Sequence, residues 1–213
     1  MVRVPDLRFR VEGAQAVAHA ASPLVSLRLH ISNAAADPIY AVLLRCQVQI
    51  ETPRRAYEKS EQEGLADLFG APARWATTLK PLLWTQLGVT VPGFDGETWF
   101  ELQVPCTVDL NVASGKYFQS LASGAVPLLL LFSGTVFHEA SDGALQAAPI
   151  SWSSEARFSL PVSVVREAIE ACFPNAGFLT LQRDVLDRLY RYKVRSGLPT
   201  WERAIEALLE RTP

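Results

Sequence analysis

Two stretches of alternating residues, VSLRLHIS (residues 25–32) and VLLRCQVQIE (residues 42–51), decide the fold of this chain of 213 residues. In both, apolar side chains recur at every second position and mainly polar ones lie between them. A period of two places alternate side chains on opposite faces of a strand, so both stretches are predicted to be half-buried strands. Asn33, Asp37 and Pro38 supply turn chemistry between them. The sequence therefore predicts a long antiparallel hairpin with one face on a core.

Other strands are predicted on both sides of this pair. Residues 7–11 alternate in the same way and predict a first strand. Residues 89–91 and 98–104 lie on either side of a turn that contains proline and glycine, which predicts a second hairpin. The apolar run over residues 127–137 is typical of a central strand buried on both faces, and residues 156–160 predict the last strand.

Helical patterns occur in the middle and at the end of the chain. Ser60 begins a capping box that predicts a short helix, within a helical insertion near residues 60–87. Residues 109–121 predict a second short helix. The last quarter predicts three more helices, from Ser163, Asp184 and Thr200.

The order of these elements defines the expected fold class. Strands precede helices, which is typical of an α+β protein. We expect an antiparallel β domain over residues 1–160, and a C-terminal helical segment over residues 161–213 packed on it. The β domain is expected to be a single antiparallel sheet or a β-sandwich. An immunoglobulin-like sandwich fits the strand count.

Composition narrows the class of function. A net charge of −2 gives no general attraction to nucleic acid or to an anionic membrane. The N-terminus lacks the features of a signal peptide, and the most apolar run is too short to span a bilayer, so the expected location is the cytoplasm. Cys46, Cys106 and Cys172 are far apart and are predicted to be reduced core residues.

Motifs for catalysis or metal binding are lacking in the sequence. His19, His30 and His138 are far apart, without a cysteine or carboxylate at metal-ligand spacing, so we predict no metal site. Nucleophile elbows and glycine-rich phosphate loops are missing, so we predict no cofactor and no enzymatic activity. An enzyme would need a pocket that combines carboxylates or the third histidine; the candidates are Glu97, Glu101, Asp109, Glu139 and His138.

A stripe of arginines on one predicted helix is the first candidate contact surface. Arg188, Arg191 and Arg195 recur at i, i+3 and i+7, which places their guanidinium groups on one helix face. Such a stripe suits an acidic partner or RNA. The alternative is a solvated face whose positive charges complement the negative end of the helix dipole.

A group of aromatic residues is the second candidate contact surface. Trp75 and Trp84 lie in the insertion region, near the positive charges of Arg74 and Lys80, and the group continues with Phe94, Trp99 and Phe100 in the predicted second hairpin. Tryptophan and arginine are enriched in protein interface hot spots, and an exposed tryptophan beside these charges would be a partner site. The alternative is that these indoles belong to the core.

The chain resembles an uncharacterised bacterial family. The resemblance covers nearly the whole sequence and is carried by several segments: LRCQVQIE (44–51), VPGF (91–94), KYF (116–118), VPLLLLFSGTVF (126–137) and LPTW (198–201). Members of that family are encoded beside the genes of high-affinity, oxygen-tolerant NiFe hydrogenases. The order of the strands and the final helices is also similar to export chaperones of the SecB type.

The resemblance implies a setting for the function. We expect a non-enzymatic accessory protein that acts as a chaperone or assembly factor for a NiFe hydrogenase. A stable structural subunit of a hydrogenase complex is the alternative, and an enzyme with an unrecognised pocket is the third hypothesis. The expected partner is a protein, such as a hydrogenase subunit. We expect no nucleic acid partner and no membrane span. Assembly into a homo-oligomer is a further possibility, because either predicted β-hairpin would leave an unpaired edge strand.

Overall fold

The computed structural model of the chain describes residues 5–35, 38–107, 112–139 and 143–210. The described residues form antiparallel sheets and α-helices, which confirms the α+β class. Two compact units divide the chain, Met1–Gly177 and Phe178–Pro213. The predicted turn residue Asp37 lies outside the described residues, as does the carboxylate candidate Asp109.

The first unit contains the strands and four of the described α-helices. The strands are β1 (Leu7–Ala16), β2 (Leu24–Asn33), β3 (Ile39–Ile50), β4 (Leu82–Phe94), β5 (Glu97–Pro105), β6 (Ala125–Glu139), β7 (Leu145–Pro149) and β8 (Glu155–Pro161). The helices are α1 (Lys59–Phe69), α2 (Trp75–Thr78), α3 (Ala113–Gln119) and α4 (Val162–Cys172). The second unit contains α5 (Arg183–Arg195) and α6 (Trp201–Leu209).

The described strands form two sheets. One has three strands in the order β1-β2-β5, and the other has five, in which β4, β3 and β6 are neighbours and β6 also pairs with β7 and β8. Apolar residues from both sheets form a common core, and the rings of Phe9 and Phe132 stack across it with centroids 4.2 Å apart. The two sheets therefore pack face to face as a β-sandwich.

Both predicted β-hairpins are wrong. β2 and β3 lie in different sheets, and so do β4 and β5. β2 pairs instead with β5, and β3 pairs with β4. Each short connection carries the chain from one sheet to the other, because in a sandwich two consecutive strands with apolar inner faces can share the core from opposite sides.

β6 is the central strand of the larger sheet, as predicted. Its first half pairs with β8 and its second half with β7. Leu128 and Leu130 are fully buried, whereas Leu129 and Leu131 on the outer face are only half-buried. The expectation of burial on both faces is therefore wrong for the outer face.

Gly134 lies where β6 changes partners. Its φ is +139°, and a Cβ atom there would lie 1.9 Å from the backbone oxygen of Leu43. The backbone oxygen of Gly134 also accepts a hydrogen bond from the Ile150 amide. Only glycine allows this conformation and this close approach of β3.

A helical insertion between β3 and β4 packs against α3. Its helix α1 begins after Glu58, whose side chain and backbone form a capping box with Glu61, so the predicted start at Ser60 is two residues late. The Glu61 carboxylate forms an ion pair with Arg55, and Arg55 donates to the backbone oxygens of Ser123 and Ala125. This network ties the insertion to the segment that leads into β6.

The helix α4 belongs to the β unit. It packs against β1, β2 and β8, and Val162, Val165 and Ala168 are buried in the common core. The two compact units divide after Gly177, whereas the sequence predicts the boundary at residue 160. Amphipathic periodicity predicted α4, but it could not show which unit its apolar face joins.

Candidate protein-binding surface

The helix α5 forms because charge and periodicity agree along it. Asp184 lies in its first turn and Lys193 and Arg195 lie in its last turn, where they complement the helix dipole. Gly197 follows with a φ of +62°, which ends the helix. The helix predicted from Asp184 is present and begins one residue earlier, at Arg183.

The helix α6 packs beside α5 and forms the C-terminal helix pair with it. The Thr200 hydroxyl accepts a hydrogen bond from the Arg203 amide at 3.2 Å and caps the start of α6. The Trp201 ring lies 6.1 Å from the Tyr190 ring, and the Lys193 ammonium lies 5.7 Å above the Trp201 ring. These ring contacts hold the two helices together.

Most apolar side chains of the C-terminal helix pair are exposed. No described residue of α5 is buried, and in α6 only Ala204 is buried. The large apolar residues that are exposed in the pair are Val185, Leu186, Tyr190, Val194, Trp201, Ile205, Leu208 and Leu209. Contiguous apolar surface of this kind marks an interaction site in folded proteins.

A groove of about 700 Å³ runs along this helix pair. Its lining consists of Val185, Arg188, Leu189, Tyr190, Arg191, Tyr192, Val194, Arg195 and Leu208. We call it the helix-pair groove. All three arginines of the predicted stripe therefore lie in one groove together with aliphatic and tyrosine side chains.

The arginines give the helix-pair groove a positive charge. No carboxylate among the described residues forms an ion pair with Arg188, Arg191 or Arg195. Within α6, Glu206 is already paired with Arg203. Because a guanidinium group stays charged at any physiological pH, the groove offers three cations beside apolar surface.

The structure places the three tryptophans of the aromatic candidate in three different environments. Trp84 is 8% exposed and packs on the Phe118 ring, so it belongs to the core and is corrected as a candidate for partner contact. Trp75 is half-buried within the insertion, where its indole NH donates to the Gly70 oxygen at 2.9 Å. Arg74 and Lys80 are exposed near it.

Trp99 lies on the outer face of the three-stranded sheet. It is 47% exposed, its indole NH donates to a Glu12 carboxylate oxygen at 2.9 Å, and its ring lies beside the His30 imidazole. The hydrogen bond from the Trp99 indole is the largest influence on Glu12, and it lowers the pKa of this carboxyl below its usual value. Arg10, His30 and Arg28 lower the pKa further, whereas desolvation acts in the opposite direction. Trp99 is thus part of a charged network on its own sheet and does not join Trp75 in one platform.

The outer face of the five-stranded sheet has a different character. A shallow depression of about 650 Å³ lies over its middle, with lining residues that include Arg45, Gln47, Gln86 and Trp152. Trp152 is 95% exposed. Sequence reasoning missed this residue, although its position in the serine-rich stretch SWSS (151–154) between two strands indicated an exposed loop.

Among the residues that the structure describes, the candidates for acid, base and nucleophile chemistry do not form one cluster. Glu97 contacts His30 on the three-stranded sheet, whereas Glu139 on the other sheet accepts a hydrogen bond from Tyr40 at 2.6 Å. Burial raises the pKa of Cys46 and of Cys106 to about 12. These two thiols stay protonated at neutral pH and are poor nucleophiles.

Neither a group of metal ligands nor a membrane-spanning helix is found among the described residues. In the ranges described, no three His, Cys, Asp or Glu side chains are grouped so that they could hold a metal ion. None of the helices in the same ranges has the length and apolarity that crossing a bilayer requires.

Comparison with protein families gives a match over almost the whole chain. The matching model covers residues 4–213 and is DUF6084, described as a family of unknown function. The chain belongs to the DUF6084 family. A search of curated proteins finds no match to this DUF6084 chain.

Solved structures resemble this DUF6084 chain only distantly. The CARDB domain of a Pyrococcus furiosus protein is 10% identical, with 74% of this chain and 87% of that one covered and a TM-score of 0.28. A putative late embryogenesis abundant protein is also 10% identical, with 74% and 73% covered and a TM-score of 0.34. The putative ApaA protein from Bordetella pertussis is 16% identical, with 75% and 96% covered and a TM-score of 0.24. At these TM-scores the similarities support no conclusion about the fold or the function of this chain.

Proposed function

We propose that this DUF6084 protein is a non-enzymatic accessory protein that binds a protein partner through the helix-pair groove. The observation that supports this most directly is the groove itself, in which three arginines without an ion-pair partner among the described carboxylates lie beside exposed aliphatic and tyrosine side chains. Arginine and tyrosine are the residue types that protein interfaces enrich. A small helix pair that buries almost none of its apolar residues gains stability when a partner covers them.

The proposed partner is a subunit of a NiFe hydrogenase, and the proposed role is that of a chaperone or assembly factor in the cytoplasm. This identity is supported by the resemblance of the sequence to an uncharacterised bacterial family whose members are encoded beside hydrogenase genes. Lasting presence in the mature complex would instead make the protein a structural subunit.

A binding role is also favoured over a catalytic one by the side-chain chemistry. The carboxylates that sequence reasoning retained as catalytic candidates are divided between two sheets and engaged in local pairs. Both buried thiols are protonated at neutral pH because burial raises their pKa. The groove contains arginines and tyrosines but no described carboxylate, cysteine or histidine that could act as a general base near neutral pH.

Affinity capture from the native host during hydrogenase expression tests the proposal. The tagged wild-type protein is compared with the triple variant Arg188→Ala/Arg191→Ala/Arg195→Ala, and with Arg183→Ala, which removes a cation of α5 outside the groove. Circular dichroism first checks that all three proteins fold alike. Mass spectrometry then quantifies each captured hydrogenase subunit.

We expect the wild type and Arg183→Ala to capture immature hydrogenase subunits, and the triple variant to lose most of them. Active enzyme at a fixed ratio would assign the role of a structural subunit. Equal capture by all three proteins would remove the groove from the proposal, and the absence of hydrogenase subunits would remove the partner.

A further inference from the structure

The charge and shape of the helix-pair groove indicate what kind of segment binds there. We infer that the groove accepts an amphipathic helix with an acidic flank, presented by the partner; this inference rests on the proposed function and adds the chemistry of the occupant.

The apolar lining indicates the shape of the occupant. Val185, Leu189, Val194 and Leu208 line the groove, and a helix of 13 residues such as α5 is about 20 Å long. An apolar groove lined by residues along a helix suits a second helix that inserts residues at i, i+3, i+4 and i+7. The volume of about 700 Å³ holds several aliphatic side chains rather than a whole folded surface.

The arginine spacing indicates where the occupant carries its charge. Arg188, Arg191 and Arg195 span two turns on one face of α5, and all three line the groove. A carboxylate binds a guanidinium fork through two parallel hydrogen bonds, and glutamates at i, i+3 and i+7 of a neighbouring helix repeat with the same period. The three cations therefore select a helix whose acidic stripe borders its apolar face.

Nucleic acid fits the groove less well. Phosphate backbones are bound by wide basic surfaces, and the affinity comes from many Lys and Arg contacts. Here the lining is mostly aliphatic and aromatic, and the net charge of the chain is −2. An acidic helix satisfies both the apolar and the charged parts of the lining.

Binding of designed peptides to the full-length protein tests the inference. The probe is a fluorescein-labelled helical peptide of roughly 16 residues with leucines at i, i+3, i+4 and i+7 and glutamates along one border. Two control peptides replace the glutamates by glutamine or by lysine, and a third keeps the composition but scrambles the order. Fluorescence anisotropy is measured at low and at high salt.

We expect the glutamate peptide to bind at least about tenfold more tightly than the glutamine peptide, and the difference to shrink at high salt. The lysine and scrambled peptides should not bind. Arg188→Gln/Arg191→Gln/Arg195→Gln should lose the preference for glutamate, whereas Arg183→Gln should retain it. Leu208→Asn should weaken the binding of both the glutamate and the glutamine peptide, because it replaces an apolar side chain of the groove lining by a polar one.

Three results would overturn the inference. The first is equal binding of the glutamate, glutamine and scrambled peptides, or no binding of any of them. The second is a single-stranded RNA of about 12 nucleotides that binds more tightly than the glutamate peptide and depends on the same arginines. The third is a dimer in light scattering that Leu208→Asn dissociates, because a second copy would then occupy the groove.

The peptide assay and the host capture fail independently. If the triple arginine variant loses hydrogenase subunits but the peptides do not discriminate, the proposed function stands and the acidic helix is excluded. If the peptides discriminate but no hydrogenase subunit is captured, the groove chemistry stands and the hydrogenase partner is excluded.

Discussion

Arg55 and Glu61 form a bidentate ion pair inside the helical insertion. The Arg55 Nη1 atom lies 3.0 Å from Glu61 Oε2, and Nη2 lies 2.9 Å from Oε1. The two side chains are only 9% and 2% exposed. The backbone amides of Glu58 and Ala122 also donate to the Glu61 carboxylate, so both of its oxygens are fully engaged.

Replacing Glu61 by Gln should destabilise the protein by about 3 kcal/mol, because it leaves the Arg55 guanidinium buried without its counter-charge. Urea unfolding followed by circular dichroism measures the change. Asp67→Asn is the control, since Asp67 is mostly exposed and its ion pair with Lys116 lies at the surface, so we expect little change. Equal unfolding midpoints for wild type and Glu61→Gln would contradict the structural role of the pair.

The same carboxylate should make the stability depend on pH. Burial alone would raise the pKa of Glu61, but the hydrogen bonds from Arg55, Ala122 and Glu58 outweigh it, and the pKa lies below the usual 4.5. A lowered folded-state pKa means that the stabilisation is complete above pH 4.5 and is lost as the pH falls through the folded-state pKa. Unfolding midpoints of the wild type should therefore drop more steeply below pH 4.5 than those of Glu61→Gln, and parallel curves would argue against the shift.

Gly134→Ala should disrupt the larger sheet. The φ of +139° is one that alanine rarely adopts, and the new Cβ would lie 1.9 Å from the Leu43 oxygen. We expect a loss of about 3 kcal/mol or more, measured as a lower unfolding midpoint or as failure to fold. Gly88→Ala is the matched control in β4, because a Cβ atom at that position would have no neighbouring atom within 4 Å. A stable Gly134→Ala protein would mean that β3 and β6 approach each other differently.

Trp84 and Trp152 should behave in opposite ways. Trp84→Ala empties part of the core beside Phe118 and should cost about 3 kcal/mol or more of stability. Trp152→Ala should leave the unfolding midpoint unchanged, because its side chain is 95% exposed. Acrylamide quenching gives a second measurement: Trp152→Ala should remove much of the readily quenched fluorescence, whereas Trp84→Phe should not. An unfolding midpoint lowered equally by both alanine variants would contradict the assigned environments.

Period two predicted strands but not their partners. Alternation at residues 25–32 and 42–51 shows which side chains face the core, and both strands are where the pattern placed them. A short connection after Asn33 looks the same in the sequence whether the chain turns back within a sheet or crosses to the other sheet. The pairing of β2 with β5 places residues opposite each other that are far apart in the sequence, such as Ser26 and Gln103, and local periodicity cannot report such partners.

In the candidate site, too, the sequence predicted the local geometry but not the contacts between separate elements. The i, i+3 and i+7 spacing placed Arg188, Arg191 and Arg195 on one face of α5, and that geometry is confirmed. The groove beside them could not be predicted, because it also requires the position of Leu208 on the next helix. Trp84 was misplaced for a related reason: its strand begins at Leu82, directly after the insertion, where helical and strand patterns overlap.

The crossings between the two sheets also govern how the chain is made. β2 cannot pair with β5 until β5 has been synthesised, and β3 cannot pair with β6 until residue 125 and those after it have been synthesised. A ribosome therefore releases several strongly apolar strands well before the segments that cover them, and pairing between such distant segments is slow. During synthesis, β1 and β2 are the first strands that can pair with each other, so we expect the nascent protein to be prone to aggregation until its last strand emerges.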